Sequence, residues 1–294
     1  MPVRTELAMG TLVTMRVLSA EAEALAALDR AFAWFREIEA VCTRFDEGSE
    51  LRRATERVGA ALAVSPILFE TVRFALLVAE RTGGAFDPAV GRRMEARGLN
   101  REYRSGATVD SGGDGDASYR DVELDEEQRT LRVHRPLTLD LGAAAKGLAV
   151  DAAARELTPY RNFAIDAGGD LYLGGCNDRG APWCVGIRHP RREGELITSI
   201  ELSDQAVCTS GDYERGLAGG EHHILDPRTG TSPWRVASAT VVAPNAMLAD
   251  ALATAAFVLG PEKGIELFHE EGVEGLILTP ELEEFRTRAF RHAA

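Results

Sequence analysis

Two oxygen-bearing side chains, Asp250 and Thr254, lie four residues apart in the apolar stretch from Ala246 to Leu259. The stretch predicts a helix that ends at Gly260-Pro261, so both side chains share one helix face, about one turn apart. A carboxylate and a hydroxyl are ligands suited to Mg²⁺, with phosphate oxygens and water completing the octahedron. The structural alternative is that Thr254 bonds its own backbone and Asp250 forms an ion pair.

A second candidate site is the segment from Asp140 to Gly147, which is Asp-Leu-Gly-Ala-Ala-Ala-Lys-Gly. It continues a predicted strand, Leu137 to Gly142, directly into a predicted helix. A helix start offers free backbone N–H groups, and the small residues and Lys146 allow an anion to approach, so the segment suits a diphosphate. The alternative is an alanine-rich helix packed on a sheet, with Lys146 in solvent.

Two polar stretches, residues 209–215 and 222–230, concentrate hydroxyl, carboxylate and imidazole groups. The plain interpretation is two capped turns, with His223 a structural histidine. The His-His-x-x-Asp spacing is also compatible with a transition-metal site. Because no third nitrogen or thiolate ligand can be placed, we discount that interpretation.

Charge and composition exclude several classes of protein. The 294 residues carry a formal net charge of -13, which argues against nucleic-acid binding and predicts that any bound phosphate needs a metal. The four cysteines are scattered without zinc-site spacing, so we expect reduced thiols. The first ten residues lack signal-peptide features and no stretch is long enough for a membrane span, so a cytoplasmic location is the default expectation.

The elements that position these residues follow from hydrophobic periodicity. Ser65 and Pro66 predict the start of a helix that ends at Gly83-Gly84, and the turn from Ala85 to Pro88 would then hold the carboxylate of Asp87 in a set direction. Residues 101–120 are rich in Gly, Ser and Asp and predict a flexible polar loop.

The remaining elements are a strand from Thr11 to Leu18, a helix that follows a cap at Ser19, a hairpin over residues 121–134 and short strands between residues 163 and 243. The first helix has one apolar stripe, predicted to be core: Leu25, Leu28, Phe32, Phe35 and Ile38. Strands and helices without a regular βαβ period favour an α+β fold.

Taken together, seven motifs occur in the order typical of the ApbE family and span nearly the whole chain, so the sequence resembles that family. They are Met9-Gly10-Thr11, Gly84 to Pro88, Asp140 to Gly147, Gly168-Gly169-Asp170, Thr209 to Tyr213, His223 to Gly230, and Ala249 to Thr254.

The resemblance implies one α+β unit over residues 1–294, built from two similar T-fold-like halves with a central cleft that holds FAD. It implies that Mg²⁺ is bound by the side chains of Asp250 and Thr254 and by the backbone carbonyl of Ala143. It also implies an FAD pocket lined by seven residues: Met9, Phe45, Ala85, Phe86, Asp87, Lys146 and Ile224.

By the same resemblance, the expected activity is transfer of the FMN moiety of FAD to a Thr or Ser hydroxyl of a target flavoprotein that bears a Ser/Thr-rich flavinylation motif, with release of AMP. We predict that His223 takes the proton from that hydroxyl, because an imidazole titrates near neutrality. One alternative is hydrolysis of FAD to FMN and AMP at the same metal site. Another is a flavin carrier without catalysis, against which the intact Asp250, Thr254 and Lys146 argue.

Overall fold

The computed structural model describes residues 1–213 and 221–290. The regular elements of these ranges are, in chain order, β1 (Val3–Ala8), β2 (Thr11–Val17), α1 (Glu23–Cys42), α2 (Glu50–Thr55), β3 (Leu62–Ala63), α3 (Pro66–Arg81), α4 (Gly91–Ala96), β4 (Val122–Asp125), β5 (Thr130–Val133), α5 (Gly142–Leu157), β6 (Phe163–Ala167), β7 (Leu171–Gly174), β8 (Trp183–Arg188), β9 (Leu196–Leu202), β10 (Gln205–Gly211), β11 (Ser238–Ala243), α6 (Ala246–Leu259), α7 (Pro261–Glu270), β12 (Glu274–Leu278) and β13 (Glu284–Arg286).

One sheet runs through the molecule in the order β1-β2-β6-β7-β10-β11-β12-β13, and every neighbouring pair in it is antiparallel. In the first half, the hairpin β1-β2 is followed by helices that include α1 and α5 and then by the hairpin β6-β7. The second half repeats this order with β10-β11, α6 and α7, and β12-β13. The predicted α+β fold with two similar halves is confirmed, and the halves join where β7 pairs with β10.

Helices α1, α5, α6 and α7 pack on one face of this sheet. The aromatic rings of Phe32, Phe257 and Phe268 are fully buried there, and each contributes roughly 1.5–3 kcal/mol by leaving water. The hairpin β8-β9 covers the other face in the second half, where Val185 packs in one cluster with Val207. Each half of the sheet therefore has its helices on the same side.

Helix α3 begins where the sequence predicts. Pro66 is its first residue, and the hydroxyl of Ser65 accepts the backbone N–H of Leu68 at 3.3 Å. This satisfies one of the N–H groups that a helix start leaves unpaired.

The predicted cap at Ser19 is wrong. Its hydroxyl accepts the N–H of Glu21 in a short turn, and α1 begins later, at Glu23. Leu25 is also not core: it is 56% exposed, because it lies one position off the buried stripe of α1, whose other predicted members are buried.

The strand predicted from Leu137 to Gly142 is absent. The N–H of Asp140 donates to the carbonyl of Pro88 at 2.7 Å, and the N–H of Gly91 donates to the carbonyl of Thr138 at 3.1 Å. Because these bonds join the segment to a turn rather than to a strand, no ladder forms. The helix expected to follow does begin at Gly142.

The polar segment 101–120 is a loop that closes on itself by an isolated bridge between Arg101 and Thr108. It is fixed to the body at Ser111, whose N–H and hydroxyl donate to Glu95 at 3.1 and 2.7 Å. Its flexibility stays a prediction.

Helices α5 and α6 cross in close contact, and this crossing sets the geometry of the site. A Cβ added to Gly147 would meet Met247 Cα, so only glycine fits at this position. One turn further along α5, the carboxylate of Asp151 accepts the N–H groups of Ala246 and Met247 at 2.7 and 3.0 Å. A carboxylate there complements the positive end of the α6 dipole and ties the two halves together.

Among the residues that the structure describes, no helix has both the length and the apolar character needed to cross a membrane. The four cysteines are free thiols, as predicted.

Candidate active site

Parts of the chain from both halves meet at one end of the large sheet. The turn Met9-Gly10 joins β1 to β2 at this end, and the turn Gly168-Gly169 joins β6 to β7 beside it. Since Leu171 pairs with Val207, the last residues of β10 reach the same end. The sheet register therefore gathers three of the seven motifs.

The two turns are tightly constrained. Met9 has a φ of 50° and Gly10 a φ of 75°, as a two-residue hairpin turn requires, although this conformation costs Met9 about 1–2 kcal/mol. Gly168 has a φ of 69°, and an added Cβ would collide with the hydroxyl of Thr11. Met9 lies half-buried against the core.

Three charged side chains form the centre of the site. The ammonium of Lys146, on α5, donates to Asp250 Oδ2 on α6 at 2.9 Å and forms an ion pair with Asp170 at the start of β7. Both carboxylates are buried, with 4% of Asp170 and 7% of Asp250 exposed. Burial raises the pKa of Asp250 and the nearby Lys146 lowers it, with an upward net direction. A buried carboxylate of this kind requires a cation.

Thr254 lies next to this cluster, one turn along α6. Its hydroxyl is 3.2 Å from the hydroxyl of Ser210, near the end of β10, and either group can donate. The hydroxyl of Thr254 thus pairs with that of Ser210. Asp250 forms an ion pair, as the structural alternative for this residue predicts. The partner of Asp250 is nevertheless Lys146, which belongs to the predicted diphosphate segment. The residues of the predicted metal site and of the predicted diphosphate site therefore lie together.

The donor set fits a magnesium ion. The predicted ligands are oxygens only: the carboxylate of Asp250, the hydroxyl of Thr254 and the carbonyl of Ala143, with Asp170 and Ser210 next to them. Mg²⁺ prefers such oxygens and keeps waters or phosphate oxygens in its other positions. The ammonium of Lys146 at Asp250 also indicates that this carboxylate is placed to hold a positive charge.

Helix α5 begins at Gly142 in the same region. Asp140 Oδ1 accepts the N–H of Gly142 at 2.9 Å, and the carbonyl of Leu141 accepts the N–H groups of Ala144 and Ala145. Ala143, in this first turn, is half-buried. The positive end of the helix dipole, together with Lys146 four residues further along α5, makes the region favourable for an anion.

A buried arginine holds Asp140 in place. Arg44 Nε donates to Asp140 Oδ2 at 2.6 Å, and Arg44 Nη1 lies 3.6 Å from Glu95 Oε1. The same guanidinium donates to the carbonyl of Leu99 and stacks 4.1 Å from the ring centroid of Phe45. Phe45, a predicted pocket residue, is thereby oriented near the start of α5.

The turn from Ala85 to Pro88 runs beside the start of α5. The side chains of Ala85 and Phe86 are buried, with 1% and 6% exposed. Both oxygens of Asp87 are engaged by backbone N–H groups, those of Ala89 at 2.8 Å and Tyr119 at 3.1 Å. Burial raises the pKa of Asp87 and these two bonds lower it, leaving it raised. Through these two bonds, the carboxyl group of Asp87 holds the turn in shape and attaches it to the end of the 101–120 loop.

The two histidines differ in role. His222 is buried, its ring makes an edge contact with Phe257 at 5.2 Å, and its Nε2 bonds the carbonyl of Pro233 at 2.9 Å. His223 is half-buried, and Ile224 after it is buried. Because Phe257 lies three residues after Thr254 on α6, His222 anchors this segment near the predicted metal ligands.

Residues 214 and 215 of the polar stretch 209–215 lie outside the described residues. In the part of the chain that is described, no group of three or more His, Cys, Asp and Glu side chains is arranged to hold a metal ion.

Asp170 and Arg44 were not assigned by sequence reasoning. For Asp170 a signal existed, because Gly168-Gly169 places the following carboxylate on a tight turn, and the same argument selected Asp87 after Gly83-Gly84. For Arg44 the sequence contains no such signal, because its partner Asp140 lies 96 positions away in the chain.

Comparisons with known proteins agree with this architecture. The family model "ApbE family" matches residues 9–277. The FAD:protein FMN transferase of Treponema pallidum is 35% identical, over 95% of this chain and 84% of that protein.

Among solved structures, the ApbE protein of Thermotoga maritima is 30% identical and superimposes with a TM-score of 0.88, covering 98% of this chain and 97% of that one. The flavin transferase ApbE of Vibrio cholerae is 26% identical, with a TM-score of 0.85 and the same coverage. On the match to nearly its whole length, in sequence and in fold, this chain belongs to the ApbE family.

Proposed function

We propose that this chain is a magnesium-dependent FAD:protein FMN transferase, with residues 1–294 acting as one unit. It moves the FMN moiety of FAD to a threonine or serine hydroxyl of a target flavoprotein through a phosphoester bond and releases AMP. The proposal is supported by the relatives that carry this name and by the site at the junction of the halves.

The observation that carries the proposal is the convergence of Lys146 with Asp250. The diphosphate-type segment on α5 and the metal-type pair on α6 were identified separately, and they meet at 2.9 Å. Thr254 lies one turn further along α6 and Ala143 one turn earlier on α5. A cation site next to a helix N-terminus and a lysine is what a dinucleotide diphosphate requires.

We assign the metal to Asp250, Thr254 and the carbonyl of Ala143. A bound magnesium ion supplies Lewis-acid neutralisation of the diphosphate charge. Lys146 binds a diphosphate oxygen and stabilises the charge that builds on it, and the N-terminus of α5 orients the same group. These residues act by position and charge and form no covalent bond to the substrate.

In the transfer step, the acceptor hydroxyl oxygen forms a bond to the FMN phosphorus as the bond from that phosphorus to the bridging oxygen breaks. The bridging oxygen and its electron pair leave with AMP. We assign His223 as the base that accepts the hydroxyl proton.

The FAD pocket is assigned to Met9, Phe45, Ile224, Lys146 and the turn from Ala85 to Asp87. The placement of Met9, Phe45 and this turn around the start of α5 and the end of the sheet supports the assignment. The buried side chains of Ala85 and Phe86 favour contact through their backbone groups. Asp87 acts by holding the turn in shape.

The test of the function is to incubate the protein with FAD, Mg²⁺ and an acceptor domain that bears a Ser/Thr-rich flavinylation motif. We expect flavin fluorescence to stay with the acceptor in denaturing electrophoresis and AMP to form in equal amount. AMP and free FMN without labelled acceptor would establish hydrolysis instead. Neither product would refute both enzymatic interpretations.

The role of His223 is tested by His223→Gln. We expect transfer to fall by roughly 10²–10⁴-fold, the usual contribution of a positioned base, with FAD binding retained. The exposed His134→Gln serves as the matched control and should transfer at the normal rate. A His223→Gln variant that transfers normally would remove this assignment.

A further inference from the structure

The site at the junction of the halves contains its own cation. Lys146 lies between Asp170, from the first half, and Asp250, from the second. Two carboxylates and one ammonium leave this cluster with a formal charge of -1. Both carboxylates are almost fully buried, whereas the Lys146 side chain is 24% exposed. The lysine is therefore the partly exposed member of the cluster.

Lys146 and a divalent cation would compete for one carboxylate, that of Asp250. The ammonium lies 2.9 Å from Asp250 Oδ2, which is within the distance at which it would repel a metal ion bound to that group. A metal bound to Asp250 is therefore repelled by the ammonium, and this repulsion falls when the contact lengthens. A lysine that moves away from Asp250 still needs a counter-charge, because an unpaired buried cation is unfavourable.

Asp170 supplies that counter-charge. It reaches Lys146 from the turn before β7, where Gly168 lies close to Thr11, whereas Asp250 reaches the lysine from α6. The anchors thus come from different elements, and the flexible lysine stem can weaken one contact while it keeps the other.

We propose that Lys146 neutralises Asp250 when no divalent cation is bound there, and that Asp170 is a positioning residue that retains Lys146 when a divalent cation takes its place. A diphosphate attracts the released ammonium, so it favours the same shift. Metal and dinucleotide consequently bind cooperatively, each raising the affinity for the other by the same factor. The inference rests on the proposed function only in treating Asp250 as a divalent-cation ligand.

The test uses Mn²⁺ as the probe and measures the free ion by electron paramagnetic resonance, without FAD. We expect Lys146→Met to bind Mn²⁺ at least about tenfold more tightly than the unmodified protein, because the competing charge is gone. The chain has one other lysine, the exposed Lys263, and Lys263→Met should leave the affinity unchanged.

Asp170→Asn separates positioning from plain charge. In the unmodified background it should weaken Mn²⁺ binding several-fold, because Lys146 is left with Asp250 alone. In the Lys146→Met background the same substitution should have almost no effect. A direct electrostatic or ligand role of Asp170 predicts the opposite, a loss that persists or grows once the lysine is removed.

Adding FAD completes the test. FAD should tighten Mn²⁺ binding strongly in the unmodified protein and much less in Lys146→Met. Equal or weaker Mn²⁺ binding by Lys146→Met without FAD would overturn the inference and leave the proposed function intact, as would an equal Asp170→Asn loss in both backgrounds. Absence of Mn²⁺ binding in every variant, with and without FAD, would overturn both.

Discussion

Two clusters in this molecule place one cation between two carboxylates, and they differ in how fixed the cation is. Arg44 lies between Asp140 and Glu95 and is 3% exposed. Its planar guanidinium also donates to the carbonyl of Leu99 and stacks on Phe45. Arginine is always charged and has a rigid fork of donors, so this cluster has one arrangement.

The cluster of Lys146, Asp170 and Asp250 is open by comparison. Its cation is a flexible amine that is 24% exposed, and the hydroxyl of Thr254 adjoins it. The comparison teaches that a buried ion pair is not by itself a functional signal. The Arg44 cluster holds the start of α5, whereas the Lys146 cluster has a partly exposed and flexible cation.

The largest effect on activity is expected for Asp250→Ala. Removal of the carboxylate should lower FMN transfer by at least about 10³-fold, since the proposed metal site loses its one charged ligand. The rate is measured by the fluorescence of labelled acceptor, and circular dichroism should show an intact fold. Transfer within tenfold of normal would show that the Lys146 cluster is not the working site.

The largest effect on stability is expected for Arg44→Met. It leaves the half-buried Asp140 without its cation and the buried Glu95 with Arg92 alone, and it should lower the free energy of unfolding by up to about 3–5 kcal/mol, the loss for a fully buried pair. Urea denaturation measures this change. A loss below about 1 kcal/mol would contradict the view that Arg44 fastens the start of α5.

A metal ion should distinguish the two clusters directly. Lys146→Met leaves the buried carboxylate of Asp250 without its cation, and we expect its lowered melting temperature to recover on addition of Mg²⁺, because a ligand that binds only the folded state stabilises it. Mg²⁺ should raise the melting temperature of Arg44→Met by no more than it raises that of the unmodified protein. Equal recovery in both variants would remove the distinction.

The smallest expected effect concerns Asp151, on the helix that connects the clusters. Burial raises its pKa from 3.8 to about 6, although the N–H groups of Ala246 and Met247 oppose the shift. The folded protein therefore binds this proton more tightly than the unfolded chain, and the stabilisation is complete below about pH 4 and lost as the pH rises through 6. The size is about 3 kcal/mol at most.

The check is the unfolding free energy of Asp151→Asn and of the unmodified protein between pH 4 and 7. The difference between them should change over this range, because only the unmodified protein carries the titrating group. A constant difference would show that Asp151 titrates normally.

Local signals in the sequence were enough for many of the elements. Ser65-Pro66 fixed the start of α3, and the ordered motifs led to the α+β fold with two similar halves. Local chemistry made Asp250 and Lys146 candidates, the resemblance to the ApbE family supplied their roles, and those roles stay predictions. The failures had a common cause, since Ser19 bonds within a turn and the residues around Asp140 pair with Pro88, and neither partner is visible in local periodicity.

The contacts that set the site are long-range. The ion pair of Lys146 with Asp250 spans 104 positions, and that of Arg44 with Asp140 spans 96. The close crossing at Gly147, which brings α5 onto α6, depends on a glycine that looks unremarkable in an alanine-rich helix. Hydrophobic pattern places a residue on a face, but it does not say which distant face packs against it.

The central claim is that Asp250 and Thr254 bind a divalent cation beside Lys146. Anomalous diffraction from crystals grown with Mn²⁺ and FAD tests it most directly. We expect one strong anomalous peak within about 2.3 Å of Asp250 and Thr254 oxygens, with the FAD diphosphate on its open side. A peak elsewhere, or FAD bound with no peak at Asp250, would contradict the claim.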